Sequence, residues 1–498
     1  MTSYDQIMKL ALERGFYFPS CEIYPDAPAG FWEYGPVGVN MKNKFIALWR
    51  RELIRRDGMI EIDGSQIMSR SVFEASGHLR NFSDPLVECK NCGSIFRADR
   101  YLSEKLGKLI PEGTSETALN SMISVNHIQC QNCKGEFKPV ARFNMMFKVG
   151  IGSSHDEAYL RPETCQTIFV DFARVFKTMR GRLPLGIAQI GKSFRNEIAP
   201  RQSLLRLREF YQAEIEVFCN PDRLNDVPEF DEVRDTTLNL FDDEFHRGVT
   251  AIDCLKQGLL PNELIAYYLA LLAEFYNKTG IDMKRTRFRR LADDEKAFYS
   301  HLAFDFEVET SLGWLELVAC NYRADYDLKG HSSTSNHNFE VVEPTSQTKV
   351  LPHIFELSMG IDRSLYSILE HSYYEDFRHD DRVVLRLNPY LAPIIFGVLP
   401  LMSKPQMVEK SRTIHSLLKR DFDSVYDESG SIGRRYRRLE EIGVPFALTI
   451  DQQTLIDDTV TVRYRDSMEQ ERIGIGDLKK FFDGKVAVNQ KAYQIKEL

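Results

Sequence analysis

The sequence predicts an α+β domain built on a strand-rich sheet, followed by a smaller α/β domain. Three observations carry this reading. Between 186 and 218, Gln189, Ser193, Arg195 and Glu197 alternate with Ala188, Ile190 and Phe194, and Gln212, Glu214 and Glu216 alternate with Tyr211, Ala213, Ile215 and Val217. That is the period of two strands joined by a polar loop, each with one buried and one polar face. A second strand pair at 303–321 is split at Leu312-Gly313 in the manner of a hairpin. From Arg382 onward, short apolar strands (VVLRL, IIFGVLP, FALTI, VTVRY) alternate with helical segments, the pattern of a separate domain with a mixed or parallel sheet.

The remaining elements follow in chain order. Residues 39–56 read as a helix with Phe45, Leu48, Trp49 and Leu53 on one side; Gly58 ends it, and Ile60 and Ile62 suggest a strand. The stretch 85–140 carries four cysteines and reads as an insertion. Residues 225–300 read as a helical insertion, clearest in YYLALLAEFYNKTG. A short strand at 354–359 meets Gly360 and a helix running to about 370. The charged run EDFRHDDR marks a linker, which divides the chain into 1–375 and 382–498.

Composition limits the function classes. With 498 residues, 43% hydrophobic and 27% charged, the chain has the make-up of a soluble globular protein of several domains. No stretch approaches a membrane span and the N-terminus has no apolar leader, so a cytoplasmic location is expected. A net charge of −8 gives no whole-chain attraction to nucleic acid, which leaves room for a local basic footprint. Nine scattered cysteines argue against a secreted disulfide framework.

Three constellations carry chemistry. Cys89 and Cys92 form a C-x2-C pair, and after 37 residues Cys130 and Cys133 form another, each in a knuckle-like turn. Four thiolates from two such turns suit a closed, structural tetrahedral Zn²⁺; the alternative is four unrelated thiols. F-R-N-E (Phe194 to Glu197) is followed by R-E-F (Arg208 to Phe210). An arginine on such a strand suits a phosphate and a nearby Phe210 can stack on a purine, whereas the plain alternative is a surface ion pair. E-L-S-M-G-I-D-R (Glu356 to Arg363) sets Arg363 in a first helical turn, against the helix dipole, unless an anion sits there.

Taken together these segments resemble the class II aminoacyl-tRNA synthetases. GFWEYGPVGVNMKNKFIALWRREL, with Pro36 ahead of its long helix, is similar to motif 1, IGKSFRNEIAPRQSLLRLREFYQAEIEVF to motif 2 and FELSMGIDRSLYSIL to motif 3, in the family's order. Within the class, YLRPETCQTIFVDF, FNMMFKVGIG, GWLELVACNYRADYDL and DESGSIGRRYRRLEEIGVPFALTID resemble glycyl-tRNA synthetases of the dimeric archaeal/eukaryotic-like type. The resemblance covers nearly the whole chain and is weakest across 225–300. Cys165 and Thr167 stand where Ala and Gly are usual, Leu357 replaces a usual Pro, and VACNYR departs from the family's small-residue version. These departures touch packing around the glycine pocket more than its charged groups.

The resemblance implies an antiparallel sheet flanked by helices, a zinc-knuckle insertion and a C-terminal anticodon-binding α/β domain. It implies activation of glycine with ATP and Mg²⁺ and transfer to tRNA by a homodimer whose interface includes the helix carrying Phe45 and Trp49. Arg195, Glu197 and Arg363 are the catalytic residues so implied. The ATP site takes in Arg195, Asn196 and Glu197, the run Leu205, Arg206, Leu207, Arg208, Glu209 and Phe210, then Glu316 and Leu317, and Gly360, Ile361, Asp362 and Arg363. Glu316 is the expected Mg²⁺ ligand. Around glycine stand Glu163, Phe210, Tyr211, Gln212, Ala213, Glu214, Glu356, Leu357, Ser358, Met359 and Gly360, with Arg323 and Arg97 as candidates for its carboxylate. Carboxylates around an ammonium make physical sense, because a buried charge must be paired. Glycine has no side chain to grip, so selection is expected to work by leaving no room for a methyl group. In the C-terminal domain, Arg434, Arg435, Arg437 and Arg438 are candidates for tRNA, Arg434 and Arg438 sharing a helical side; the alternative is a solvated face paired with Glu440 and Glu441. KRTRFRR (284–290) is a weaker RNA candidate. Two other classes are weighed: a synthetase for another small amino acid, and a non-catalytic paralogue, which would be expected to lose the motif 2 and 3 arginines.

Overall fold

The computed structural model describes residues 3–486 except 109, 112, 154, 199, 201, 344–346 and 378–381. Its centre is a nine-stranded sheet in the order Glu244–Thr250, Thr237–Asp242, Thr286–Arg290, Leu302–Thr310, Gly313–Ala324, His353–Gly360, Glu209–Cys219, Leu185–Phe194 and Ile60–Ile62. The predicted strand pairs form, Leu185–Phe194 antiparallel with Glu209–Cys219 and Leu302–Thr310 with Gly313–Ala324, but the first strand ends at Phe194, so Arg195 and Glu197, read as part of its alternation, fall in the loop beyond it. The sheet is mixed rather than purely antiparallel, because Ile60–Ile62 joins Leu185–Phe194 in parallel and Thr237–Asp242 joins Thr286–Arg290 in parallel.

Both faces of the sheet are buried. On one, Ala213, Ile215, Val217, Leu357 and Met359 pack into the main core with the helices Pro36–Trp49, Glu263–Thr279 and Ile361–Ser372. On the other, Gln189, Gln212, Glu214, Glu216 and Glu356 are equally inaccessible. A buried polar face must be satisfied from within, and a segregated wall of this kind is suited to a polar ligand.

Two expectations are corrected. The stretch 225–300 is not a helical insertion: three of the nine strands lie in it, and its main helix is Glu263–Thr279. That helix is apolar on nearly every side, from Leu264 to Tyr276, so it is driven into the core instead of onto a surface. Its Asn262 side chain caps the start by accepting from the Ile265 amide at 3.0 Å, and Gly280, at φ 89°, closes the end. Phe45 and Trp49 face inward as well. Both are buried within the chain, and Phe45 meets Phe275 edge-on at 5.4 Å. The exposed stripe of the Pro36–Trp49 helix is Pro36, Val39, Asn43 and Ala47.

Residues 83–144 form a small body of their own, with a three-stranded sheet (Ile95–Arg97, Ser83–Glu88, Ala141–Asn144) and a core including Val87, Leu102, Leu119 and Phe137. At the other end, a mixed five-stranded sheet encloses a second core around Phe396, Leu448, Val462 and Phe482. The main core reaches Leu385, Leu387, Leu391 and Ala392, and the second begins at Ile395. Part of the run read as a linker, 378–381, lies outside the described residues; on either side of it, Tyr373–Asp376 and Arg382–Leu385 pair antiparallel.

Candidate active site

A cavity of about 640 Å³ opens on the polar face of the large sheet. Glu163, Arg195, Glu197, Phe210, Gln212, Glu316, Glu356, Ser358 and Arg363 all line it, so residues nearly 200 positions apart in the chain converge on one space. Ile110 and Pro111 of the small four-cysteine body also reach its wall.

The motif 2 strands present Arg195 at one end. Its Nε donates to the Pro162 carbonyl at 3.1 Å, and the guanidinium carbon lies 5.3 Å from the Phe210 ring centre and 5.4 Å from that of Phe82. A cation held against two rings with one nitrogen tied is pre-aimed for a phosphate oxygen. Glu197 accepts from Arg206 Nε at 2.7 Å. Arg208 does not line the cavity; it binds the Glu197 carbonyl through Nε and Nη2 and the Ala29 carbonyl through Nη1, and so braces the loop. Gly30 permits that approach: its φ is +87°, and a Cβ there would lie 2.5 Å from Pro200.

At the other end Arg363, in the first turn of the Ile361–Ser372 helix, donates to the Glu316 carbonyl at 3.1 Å and to the Leu205 carbonyl at 3.3 Å, with the Glu316 carboxylate at 3.4 Å. A shift of register near Phe306/Glu307 makes Leu317 the extra residue of its strand, which is why both Glu316 and Leu317 reach the cavity. Asp305 faces this corner. Burial, and after it the charge of Glu316, push its carboxyl well above the usual range against the pull of Arg289.

The deeper part of the cavity is acidic. Glu163 is buried and receives Gln166 Nε2 at 2.9 Å and Cys165 Sγ at 3.0 Å, with His78 Nε2 at 3.2 Å. Burial opposes its charge, but His78 and Arg323 together hold its carboxyl well below the ordinary carboxylate range. Glu214 lies just behind the wall, accepting Thr164 Oγ1 at 2.6 Å, Gln212 Nε2 at 2.6 Å and Ser358 Oγ at 2.8 Å, so Gln212 and Ser358 stand between it and the cavity.

Several expected ligands are elsewhere. Arg323, at a register shift that re-aims it, is fully buried; Nε and Nη2 take Asp327 at 2.7 Å each and Nη1 takes Glu356 at 2.8 Å. It supports the wall instead of facing the cavity. Arg97 is engaged by Asp84 at 3.1 Å and Asp99 at 2.9 Å, away from the lining. Ala213, Leu357, Met359 and Ile361 point into the core, as strand alternation requires for the first three. Asn196 contributes its amide to the Met145 carbonyl at 2.8 Å. Glu209 pairs with Lys192 beside a second, smaller cavity. Asp362 does reach the wall of the main cavity as well as the smaller one; it accepts from the Tyr34 hydroxyl and, at 2.6 Å, from the Tyr211 amide, and burial raises its carboxyl to about 6. Leu205, Arg206, Leu207, Leu317, Tyr211 and Gly360 do line the main cavity.

Residues missed in the sequence include His78, Arg289, Tyr299, Asp305 and Asn321. Of these, Arg289 carried a signal: the alternation in TRFRR marks a strand, and Arg287 and Arg289 turn to Glu307 (2.7 and 3.0 Å) and Arg289 also to Glu295 (3.0 Å) beside the cavity, while Arg290 is exposed.

The four cysteines converge. Cys89 and Cys133 sulfurs are 3.4 Å apart, Cys92 and Cys130 are 3.7 Å apart, and all four fall within 4.8 Å of one another. A tetrahedral ion with Zn–S bonds of about 2.3 Å needs sulfurs roughly 3.8 Å apart, so the cluster is compatible with zinc. In the C-terminal body, the Ile432–Glu441 helix carries four arginines with different tasks. Arg435 is buried and holds the Pro400 and Gly430 carbonyls; Arg438 is paired with Asp427 at 3.0 Å; Arg434 is exposed, with no ion-pair partner among the described residues. Glu440 pairs with Arg382 and Arg463 instead of with this group.

Comparison with known proteins agrees with this geometry. The class II tRNA synthetase core domain (G, H, P, S and T) matches residues 147–372, and the anticodon binding domain matches 396–485. A glycine–tRNA ligase of Methanothrix thermoacetophila is 39% identical over 95% of both chains. One from Methanocaldococcus jannaschii is 38% identical over 95% of this chain and 97% of its own, and one from Archaeoglobus fulgidus 36% over 95% of each. Among solved structures, the one titled as the RNA binding domain of threonyl-tRNA synthetase from Cryptosporidium parvum Iowa II shares the fold, with a TM-score of 0.58 at 19% identity, covering 96% of this chain and 98% of that one.

Proposed function

The chain belongs to the glycine–tRNA ligases of class II, and we propose how its residues divide that family's reaction. Glycine–tRNA ligase activity joins glycine to tRNA at the expense of ATP. The glycine carboxylate attacks the α-phosphorus, pyrophosphate leaves, and a ribose hydroxyl at the tRNA 3′ end then attacks the glycyl carbonyl and releases AMP. No side-chain nucleophile is required, so the protein acts by orientation and by stabilising phosphate charge.

In this reading Arg195 takes the α-phosphate, Phe210 stacks on adenine, and Arg363 takes the γ-phosphate. The observation that carries it is the shared cavity, with Arg195 at one end, Arg363 at the other and a carboxyl-rich pocket at depth. Glu163, Glu356 and Ser358 receive the glycine ammonium, with Glu214 strengthening Ser358 and Gln212 from behind. Mg²⁺ would be held by Glu316, with Asp305 beside it; burial and then the charge of Glu316 raise the Asp305 carboxyl, and a cation there would offset both. When bound, the ion neutralises phosphate oxygens. Charging of unfractionated tRNA with labelled glycine tests the whole reading; ATP-dependent incorporation is expected, and none contradicts it.

The catalytic unit expected over 1–375 and the tRNA-reading unit expected over 382–498 are supported by two separate cores, whose membership moves the working division to about residue 393. A cytoplasmic setting suits a tRNA substrate, and no helix among the described residues is long and apolar enough to cross a membrane. The buried Arg435 and the paired Arg438 leave Arg434 and the half-buried Arg437 as candidates for RNA contact, of which Arg434 is the more exposed. Arg434→Ala should weaken tRNA binding by about one phosphate contact, lowering the salt slope by roughly 0.7–0.9, with no effect on glycine activation. Unchanged tRNA affinity across salt concentrations removes this residue from the interface.

Zinc is read as structural. About one Zn²⁺ per chain is expected by metal analysis, and Cys92→Ser with Cys133→Ser should lose it, unfold the small body and withdraw Ile110 and Pro111 from the cavity wall. Metal-free native protein contradicts this. A homodimer would use the exposed stripe of Val39, Asn43 and Ala47 with the exposed Ile23 and Tyr24, instead of Phe45 and Trp49. Light scattering should give about twice 57.6 kDa. A monomer at micromolar concentration speaks against it.

A further inference from the structure

Behind the ammonium pocket lies a carboxyl that the roles above leave unused. Glu216 is fully buried, and among the described residues neither of its oxygens has a hydrogen-bond partner. The Glu209–Cys219 strand puts Glu214 and Glu216 on one face, and its register with His353–Gly360 sets Glu356 directly opposite Glu216. A Glu214 oxygen, a Glu216 oxygen and Cys165 Sγ all lie within 4.8 Å of one another.

The cations and donors around Glu216 are committed to other groups. Arg323 is divided between Asp327 and Glu356, with Tyr299 against its face at 3.7 Å. The second Glu356 oxygen takes Asn321 at 2.7 Å. Glu214 takes Thr164, Gln212 and Ser358. His78 faces Glu163, and His331 faces Gln166 at 3.1 Å. Cys165 is directed at Glu163. Arg323 pulls on Glu216 only from a distance, and an ionised buried carboxyl with no donor of its own is strongly disfavoured, whereas its neutral form is less so. Burial, and then Glu356, push Glu216 well above the usual range; burial also raises Glu214, and raises Glu356 to about 8 in spite of Arg323.

We propose that Glu216 holds a proton in the empty enzyme and that arrival of the glycine ammonium expels it. The claim rests on the ammonium pocket of the preceding section. Only the carboxyl O–H bond breaks; the proton passes to solvent, and the carboxylate left behind faces the incoming positive charge. The held proton keeps the empty pocket from carrying unopposed negative charge. It also makes a carboxylic acid without an amine a poor ligand, because such a ligand cannot draw the cluster into its charged form. By linkage, glycine affinity rises with pH while Glu216 is protonated in the free enzyme, by at most about tenfold per pH unit.

Calorimetric titration of the full-length protein with glycine at neutral pH, in buffers of low and high ionisation heat, counts the protons released. Wild type should release roughly 0.5–1 per site. Glu216→Gln, which keeps the shape of the neutral acid, should bind glycine with release near zero. Measurable glycine binding without proton release in wild type overturns the inference whether or not the variant folds. Undiminished release from a folded variant also overturns it, by moving the proton to His78, His331, Glu214 or Glu356. Absence of any glycine binding strikes instead at the pocket assignment itself.

Discussion

Replacing Arg195 by alanine is expected to slow glycine-dependent ATP–pyrophosphate exchange by about a thousandfold, near 4 kcal/mol of transition-state stabilisation. The size follows from how the side chain is held. One nitrogen is fixed on the Pro162 carbonyl and the guanidinium carbon lies within 5.4 Å of both the Phe82 and Phe210 ring centres, so the guanidinium reaches the developing phosphate charge with little left to reorganise. Arg195→Lys should recover only a small part, because an ammonium has neither the fork nor the plane that those contacts use. The loss should appear chiefly in the rate, with the KM for glycine changing far less. A variant within about tenfold of wild type would remove Arg195 from the phosphate site.

Glu163→Ala should cut glycine activation by at least about a hundredfold, or ~2.7 kcal/mol. Here the loss should include a raised KM for glycine. Removal of this carboxylate also strips His78, Gln166 and Cys165 of their shared acceptor in a buried site, so the alanine variant should be destabilised as well. Glu163→Gln separates the two effects: it keeps a side-chain oxygen for those donors and removes the charge. Thermal stability near wild type with glycine activation still depressed is the expected result. Near-normal activity of the glutamine variant would show that the ammonium pairs elsewhere.

What the sequence made legible was the part written in local pattern. Glu356 and Ser358 sit on a strand whose alternation is plain, Arg195 and Glu197 lie just beyond the end of the Leu185–Phe194 strand, and Arg363 follows the glycine that starts its helix; all five reach the cavity. Alternation also foretold that Ala213, Leu357 and Met359 would turn away, a consequence lost when a continuous run is taken as one site. Arg323 was harder, because a register shift re-aims it and nothing local marks that shift. His78 and Tyr299 come from segments with no signature of their own and are brought in by tertiary packing, whereas Asp305 lies on the predicted strand pair at 303–321. The stretch 225–300 was misread because the apolar Glu263–Thr279 helix dominated it, although Leu238 and Leu240 already alternate. Phe45 and Trp49 were placed outward for the same reason: the helix that covers them lies more than two hundred residues away in the chain.

The central claim is that one cavity couples a glycine pocket to an ATP site and leaves no use for a larger side chain. ATP–pyrophosphate exchange by the purified full-length protein, run in parallel with glycine, alanine and serine, tests it most directly. Exchange is expected with glycine and, with alanine or serine, at a kcat/KM lower by at least about a hundredfold, because a pocket selective for glycine can discriminate only by leaving no room for a methyl group. Comparable exchange with alanine, or none with glycine, would contradict it.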